Sequence, residues 1–341
     1  MGHIDDMEVD SKNADTPFTI IGPEDKEDLP LSLFNIIKLI PQSESAEETG
    51  TLVAQINDLL KQLYQSESTE NTESLVEQIG DLLEQIPEPQ PIPDIETFAA
   101  RINDLLPPVK RSKTQTKKDV EEFCWTLWYA IIEVAMQVPA HHSGQARLAD
   151  FVEALGQISA REVRMGARQD KWELWEDMPY FLTSLREHFK LPLGMGDDYD
   201  EEIAESNLNL NSFMARLLEK NMVVGLEYPI WVFREALEEP YQRRLAMDSL
   251  VDMMNEWISH AGEVIYESIN SPDLLKHVAK VTPPGSLYQG PPAISYDRWE
   301  NWKEQLRSTV GSISTEKEPV LERILQRMTE IENNHEVINY V

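Results

Sequence analysis

The chain has 341 residues, 41% hydrophobic and 27% charged, which is enough for a buried core in one large domain or two smaller ones. Its formal net charge of −31 excludes general affinity for nucleic-acid phosphates or anionic membranes, which such a surface repels on average. The single cysteine, Cys124, excludes an intramolecular disulfide and fits a reducing compartment.

The N-terminus, MGHIDDMEVD, lacks the apolar stretch of a secretory signal. Gly2 could accept a myristoyl group, but Asp6 stands where that motif requires Ser or Thr. No apolar run approaches transmembrane length. The expectation is a soluble intracellular protein without affinity for membranes. Residues 1–28, acidic and nearly free of aromatics, read as a disordered tail.

Residues 29–109 read as short helical repeats. Thr51–Leu63 (TLVAQINDLLKQL), Ser74–Ile86 (SLVEQIGDLLEQI) and Thr97–Val109 (TFAARINDLLPPV) recur with a period of 23, aligning Ile56, Ile79 and Ile102. An imperfect earlier copy lies at Leu29–Ile40, with Leu33, Ile36, Ile37 and Ile40 on its apolar positions. Each unit opens on a cap-forming Ser or Thr and spaces its apolar residues for one amphipathic helix, too short to stand alone in water. The three isoleucines should therefore be buried on one another, on the main domain, on a second copy or on a partner. Residues 1–95 hold 21 Asp and Glu against 4 Lys, so they carry −17 of the charge. The basic run Lys110–Lys118 (KRSKTQTKK) then reads as a solvated linker, with a nuclear localisation patch as the alternative, which leaves the cytoplasm or the nucleus as compartments.

From 119 to 335 the pattern is that of an all-helical domain. Val120, Phe123, Cys124, Leu127, Trp128, Ile131, Ile132 and Ala135 form a wide helical stripe that stops at Pro139. A His141–Gly144 turn leads into a second helix. A third runs from Glu173 to Phe189, with Asp177 as a cap and Pro179 in its first turn. The glycine-rich acidic loop Leu191–Glu202 precedes a helix from Glu205 to Lys220, read as the central one. Further helical patterns cover Pro229–Glu239, Arg243–Ile269, 297–309 and 318–333, with a proline-rich loop at Val281–Pro292. Strand alternation is absent. The class is all-α: a multi-helix globular domain preceded by short amphipathic helical repeats.

Seven motifs occur in order across this domain. PAHHSGQARL lies at Pro139–Leu148, WEDMPYFLTSLREHF at Trp175–Phe189 and NLNLNSFMARL at Asn207–Leu217. FREALE follows at Phe233–Glu238, WISHAGEVIY at Trp257–Tyr266, DRWENWKEQL at Asp297–Leu306 and RMTEIE at Arg327–Glu332. Over 117–333 the chain resembles a fungal family filed as a domain of unknown function, number 3632. The resemblance departs at Phe189-Lys190 and at Gln305-Leu306, and the repeats lie outside it. It implies a helical fold and no particular activity.

The residues offer several chemistries. Asp197–Glu201 (DDYDE), together with Asn255, Ser259 and Glu263 at spacings of four, resembles the two magnesium-binding motifs of class I terpene synthases. The glycines around DDYDE and the short separation between the two patterns argue for a solvated loop instead. His141 and His142 are adjacent, so they cannot both face one metal from a helix, and no Cys–His set exists. Trp299 and Trp302 read as core packing, with a ligand-stacking wall as the alternative. Arg186, Arg216 and Arg234 lie inside apolar helical motifs beside Glu187, Glu219 and Glu235. They read as structural ties between helices, or alternatively as an anion pocket to which Asn209 contributes from the Arg216 helix. No metal or cofactor is expected. The favoured function is a non-catalytic interaction or scaffold protein, binding a protein partner or itself through helical surfaces. The rival is a small-molecule or anion binder, or an enzyme, with a cavity between helices.

Overall fold

The structure is a computed structural model. It describes residues 20, 34, 37–42, 99, 100, 102 and 103, and the stretches 113–158, 162–165, 170–191, 200–222, 225–240 and 244–338. Ile56, Ile79 and Asp197–Tyr199 lie outside the described residues. The chain divides into two compact units, Met1–Ser184 and Leu185–Val341.

In the first unit, α1 (Lys113–Gln137) begins inside the basic run. It buries Val120, Phe123, Cys124, Leu127, Trp128, Ile131, Ile132 and Ala135, which is the stripe the sequence lays out. Pro139, which has no N–H to continue the ladder, ends it. The open carbonyls of its last turn go to Gln145, whose amide donates to Ala135 O at 3.0 Å and Val138 O at 2.6 Å. His142 caps α2 (Ser143–Gln157), its Nδ1 accepting from Gly144 N at 2.9 Å. A side chain on Gly144 would be impossible here, because its Cβ would lie 2.5 Å from Pro41 Cβ. Arg147 Nη1 donates to Pro41 O at 2.8 Å, which seats the 3₁₀ turn Ile40–Gln42 on the start of α2. Phe34, Ile37, Leu39 and Ile40, from the earliest repeat, are all buried. So is Ile102, at 1% exposure, as its place in the last repeat predicts.

Two features of this unit depart from the sequence reading. A two-stranded antiparallel hairpin, β1 (Glu162–Met165) and β2 (Asp170–Glu173), interrupts the all-helical pattern. Its strands, EVRM and DKWE, are too short and too charged to show alternation. Second, the helix expected from Glu173 starts at Phe181, as α3 (Phe181–His188). Asp177 caps nothing; its carboxylate accepts from Glu173 N at 2.6 Å and closes a turn. Met178 and Tyr180, at φ 43° and 70°, are left-handed, and helix cannot propagate through them. Trp128 fixes this turn by donating to Pro179 O at 2.8 Å. Its ring lies 4.7 Å from Phe181 and edge-on to Trp175 at 6.3 Å.

Cys124 sits inside this core, where burial and then the nearby Glu121 charge push its thiol up to about 12. Thiol reagents at pH 8 are therefore expected to leave the native protein unlabelled and to react fully once denaturant is added, as a chromogenic disulfide assay would read.

In the second unit, α4 (Glu201–Glu219) begins four residues before the expected Glu205. Asp200 is its cap, accepting from Glu202 N at 3.0 Å and Ile203 N at 3.2 Å, while Glu201 and Glu202 suit the positive end of the helix dipole. The helix closes on left-handed Asn221, with Met222 N donating to Leu217 O at 2.9 Å. Then follow α5 (Glu227–Leu237), α6 (Arg244–Glu267), α7 (Pro272–Val278), α8 (Tyr296–Ser308) and α9 (Glu318–Ile338).

The central helix is α6, not α4: α4, α5 and α9 all pack on it. Its sequence explains why. Ala246, Met247, Leu250, Val251, Met253, Met254, Trp257, Ile258, Ala261, Ile265 and Tyr266 are buried, and together they surround most of the helix. Gly262 lets α9 approach, since a Cβ there would lie 2.6 Å from Ile331 Cδ1. Trp257 Nε1 donates to Asn211 Oδ1 on α4 at 2.7 Å. Among the described residues, no helix is long and apolar enough to cross a membrane.

Candidate functional site

Among the described residues of the second unit, two buried ionic clusters tie elements together beside the Lys303–Glu332 pair. The first joins α4 to α6. Ser212 Oγ donates to Glu256 Oε2 at 2.7 Å, and Arg216 reaches the same carboxylate oxygen at 3.4 Å. Arg216 also donates to the Ser212 carbonyl at 3.0 Å and to its hydroxyl. His260 lies 3.6 Å from Glu256 on the next turn of α6. Burial alone would push the Glu256 carboxyl up, but His260, Arg216 and Ser212 together outweigh it and hold it below its ordinary 4.5. Burial lowers Arg216 in turn, against the pull of Glu256. The order Ser–Glu–His differs from that of a Ser–His–Asp triad: a carboxylate, not an imidazole, receives the Ser212 hydroxyl, and Arg216 shares that carboxylate.

The second cluster closes the proline-rich loop. Arg298, in the first turn of α8, is fully buried and meets Glu238, the residue that ends α5, through two bonds: Nε to Oε1 at 2.6 Å and Nη2 to Oε2 at 2.9 Å. Such a fork-on-carboxylate pair is the strongest kind of ionic hydrogen bond. The remaining guanidinium hydrogens go to the two ends of the loop. Nη1 donates to Thr282 O at 3.1 Å and Ala293 O at 2.9 Å, and Nη2 reaches Pro283 O at 3.4 Å. Glu238 in turn accepts from Trp302 Nε1 at 2.6 Å and from Gly285 N at 2.8 Å, and its carbonyl accepts from Leu287 N at 2.8 Å. The Tyr288 and Trp302 rings flank the cation at 5.5 and 5.6 Å.

One neighbour extends this brace outward. Glu239 accepts from Ser286 N and Oγ at 3.3 and 3.1 Å and pairs with Arg234 at 2.5 Å. Gly285 lies directly on α5, where a Cβ would fall 2.6 Å from the Glu238 carbonyl oxygen. Ala293, at φ 64°, is held left-handed without being glycine. Strain of this kind costs on the order of 1–3 kcal/mol and persists only where the surroundings over-determine it. The loop these contacts hold turns Val281, Pro283, Leu287, Pro291 and Pro292 to solvent, with Leu287 54% exposed.

Each residue singled out from the sequence has a definite place. Arg216 and Asn209 are both on α4; Asn209 is buried, and Arg216 pairs with Glu256 on α6, with its sequence neighbour Glu219 adding an electrostatic pull. Arg234 pairs with Glu239, at the rim of the loop brace. Arg186 is exposed on α3, close enough to act on the Tyr228 hydroxyl. Trp299 and Trp302 are each 1% exposed and diverge: Trp302 donates to Glu238, and Trp299 to Glu332 of α9 at 2.7 Å. Lys303, one residue on from Trp302, grips Glu332 at 2.6 Å. The three arginines therefore do not converge.

The terpene-synthase-like pattern fares in a similar way. Glu263 is engaged by Arg327 at 3.3 Å and His335 at 3.0 Å, Ser259 is exposed, and Asp200 caps a helix. Among the described residues no three His, Cys, Asp or Glu side chains are grouped to hold a metal ion. Sequence reasoning sees Arg298 only as a cation beside Trp299 and Trp302, with no role of its own. Its only signal was its place in RWENW, three residues after a serine able to cap.

The fold and these clusters define a protein of the all-α class, with one short hairpin, whose buried charges tie helices and one loop together. The chain belongs to the family described as "Protein of unknown function (DUF3632)", which matches residues 128–306. No curated protein and no solved structure matches it.

Proposed function

We propose that this chain is a non-catalytic interaction protein, and that the braced loop 281–292 is the element it presents to a protein partner. One observation carries the reading. A fully buried ion pair, backbone bonds at both loop ends and a strained alanine all serve to hold an outward-facing segment with exposed proline and leucine side chains. A rigid apolar segment binds with little ordering cost, because its entropy is already lost in the free protein. The rival anion-binding reading draws less support, since Arg216 and Arg234 are each matched by a carboxylate.

The test replaces the exposed side chains and leaves the brace alone. In the full chain, L287D/P291A/P292A is expected to melt with the parent. It should lose, at least tenfold, proteins that the parent cross-links in cell extract. An unchanged cross-linked set would refute the loop as the binding element. Gly285→Ala acts from beneath: its methyl cannot fit against the α5 backbone, so the loop must lift. Overpacking of this kind costs about 1–3 kcal/mol, and amide exchange over 283–292 should quicken while α6 stays protected.

A further inference from the structure

In the first unit, the indole of Trp175 donates to Asn103 Oδ1 at 2.7 Å, and Trp175 itself is fully buried. Ala99 and Ile102, a helical turn apart, are each 1% exposed, while Ala100 between them faces solvent. One face of the last repeat thus sits on the unit, and its polar anchor is Asn103. The repeats differ at this anchor position. The first carries Asn57 within Ile56-Asn57-Asp58-Leu59-Leu60, identical to the pentapeptide Ile102–Leu106; the middle one carries Gly80. At the position of Ala99 the first repeat has Val53, two methyl groups larger.

We propose that the surface around Trp175 is a recognition site for an Ile-Asn-Asp helix, at which the 51–63 repeat of the same chain replaces 97–109 while 74–86 cannot. A buried indole N–H left without an acceptor is costly, so a repeat offering glycine there is rejected and one offering asparagine is admitted. Val53 is bulkier than the buried Ala99, which favours the last repeat over the first at this site. The first repeat follows closely in the chain on a turn of the same unit: Ile40–Gln42 is held to α2 through Pro41 O, and the nine or so residues from Gln42 to Thr51 span up to about 30 Å. The site rests on the first unit alone and stands whether or not the 281–292 loop has a partner.

The test follows the Trp175 indole N–H in the full chain by nitrogen-edited spectra and hydrogen exchange. The Trp128 indole, bonded to Pro179 O, reports that the unit is folded. Asn103→Gly should change Trp175 exchange less than threefold, because 51–63 takes over. Asn57→Gly with Asn103→Gly should quicken it at least tenfold, and adding Gly80→Asn should restore it. Loss of protection in Asn103→Gly alone, matching the double variant, would make the site private to 97–109 and overturn the proposal. Full protection in the double variant would do the same, by removing asparagine from recognition. Protection in Asn103→Gly that disappears on dilution would place the donor on a second copy and overturn exchange within one chain. If any variant also exposes Trp128, synthetic 51–63 and 74–86 are titrated into the parent protein instead. The first should shift the Trp175 signal at least tenfold more tightly than the second, and equal binding would refute the selectivity.

Discussion

Arg298→Met is expected to unfold the second unit under conditions where the parent is stable. The change keeps most of the apolar stem and removes the charge, leaving the fully buried Glu238 carboxylate facing only Trp302 and Gly285. Breaking a buried pair from one side costs on the order of 3–5 kcal/mol, a large share of the stability of any domain. Here Thr282 O and Ala293 O also lose their donor, so left-handed Ala293 should relax and the loop should come free. Chemical denaturation of parent and variant measures this directly. The double change Arg298→Met with Glu238→Leu should recover a good part of the loss, because the charge no longer stays buried alone. Lysine at 298 should rescue poorly, having no planar fork to reach the carboxylate and the loop carbonyls together. A single variant as stable as the parent would show that the brace contributes nothing to the fold.

The second large effect concerns Arg216→Met and carries a signature in pH. Glu256 keeps Ser212 and His260 as partners, so the cost should be smaller, about 2–3 kcal/mol near neutral pH. In the parent, Glu256 is held below its ordinary 4.5, with burial opposing and the three partners prevailing. The folded state then binds its proton less readily than the unfolded state. Its contribution to stability is therefore present above pH 4.5 and is lost as pH falls through the lower, folded value. Removing Arg216 leaves burial in place and subtracts an attraction, which moves the Glu256 carboxyl upward. Acid unfolding of the variant should set in at a higher pH than that of the parent, in thermal melts collected between pH 3 and 7. Identical acid midpoints would mean that Arg216 does not act on Glu256. An anion binder predicts otherwise: the variant would fold as well as the parent and lose only its response to added phosphate or carboxylates.

How much of this could be read beforehand differs between features. Apolar periodicity marks α1, α2, α4, α5, α6, α8 and α9, because burial of one face leaves a helical period in the sequence; α7, at seven residues, is too short to show one. Periodicity fails where backbone geometry decides. Nothing in the residues Asp177–Tyr180 announces that Met178 and Tyr180 turn left-handed, so periodicity places the start of the third helix eight residues too early. Charge patterns misled in a different way. In the sequence Asp200 reads as part of a solvated acidic loop, yet the same acidity marks a helix start. Pairing was the least legible. Arg216 and Arg234 drew notice beside sequence neighbours, whereas their salt-bridge partners are Glu256 and Glu239, and the pair Arg298–Glu238 spans 60 residues. A single sequence records which residues are charged and leaves out which of them meet.

That same span bears on the order of events during folding. Glu238 and Arg298 are separated by the whole of α6 and α7, so their encounter closes a long loop and gains nothing until the helices between are in place. The brace should form after the rate-limiting step, when most apolar surface is already buried. Its energy would then be felt in one direction only. Weakening it should leave the refolding rate nearly unchanged and accelerate unfolding by almost the full amount, giving a chevron whose right arm alone is displaced. The ion pair that holds the loop would then act as a kinetic lock on the native state, governing the native state's lifetime and leaving its rate of formation almost untouched.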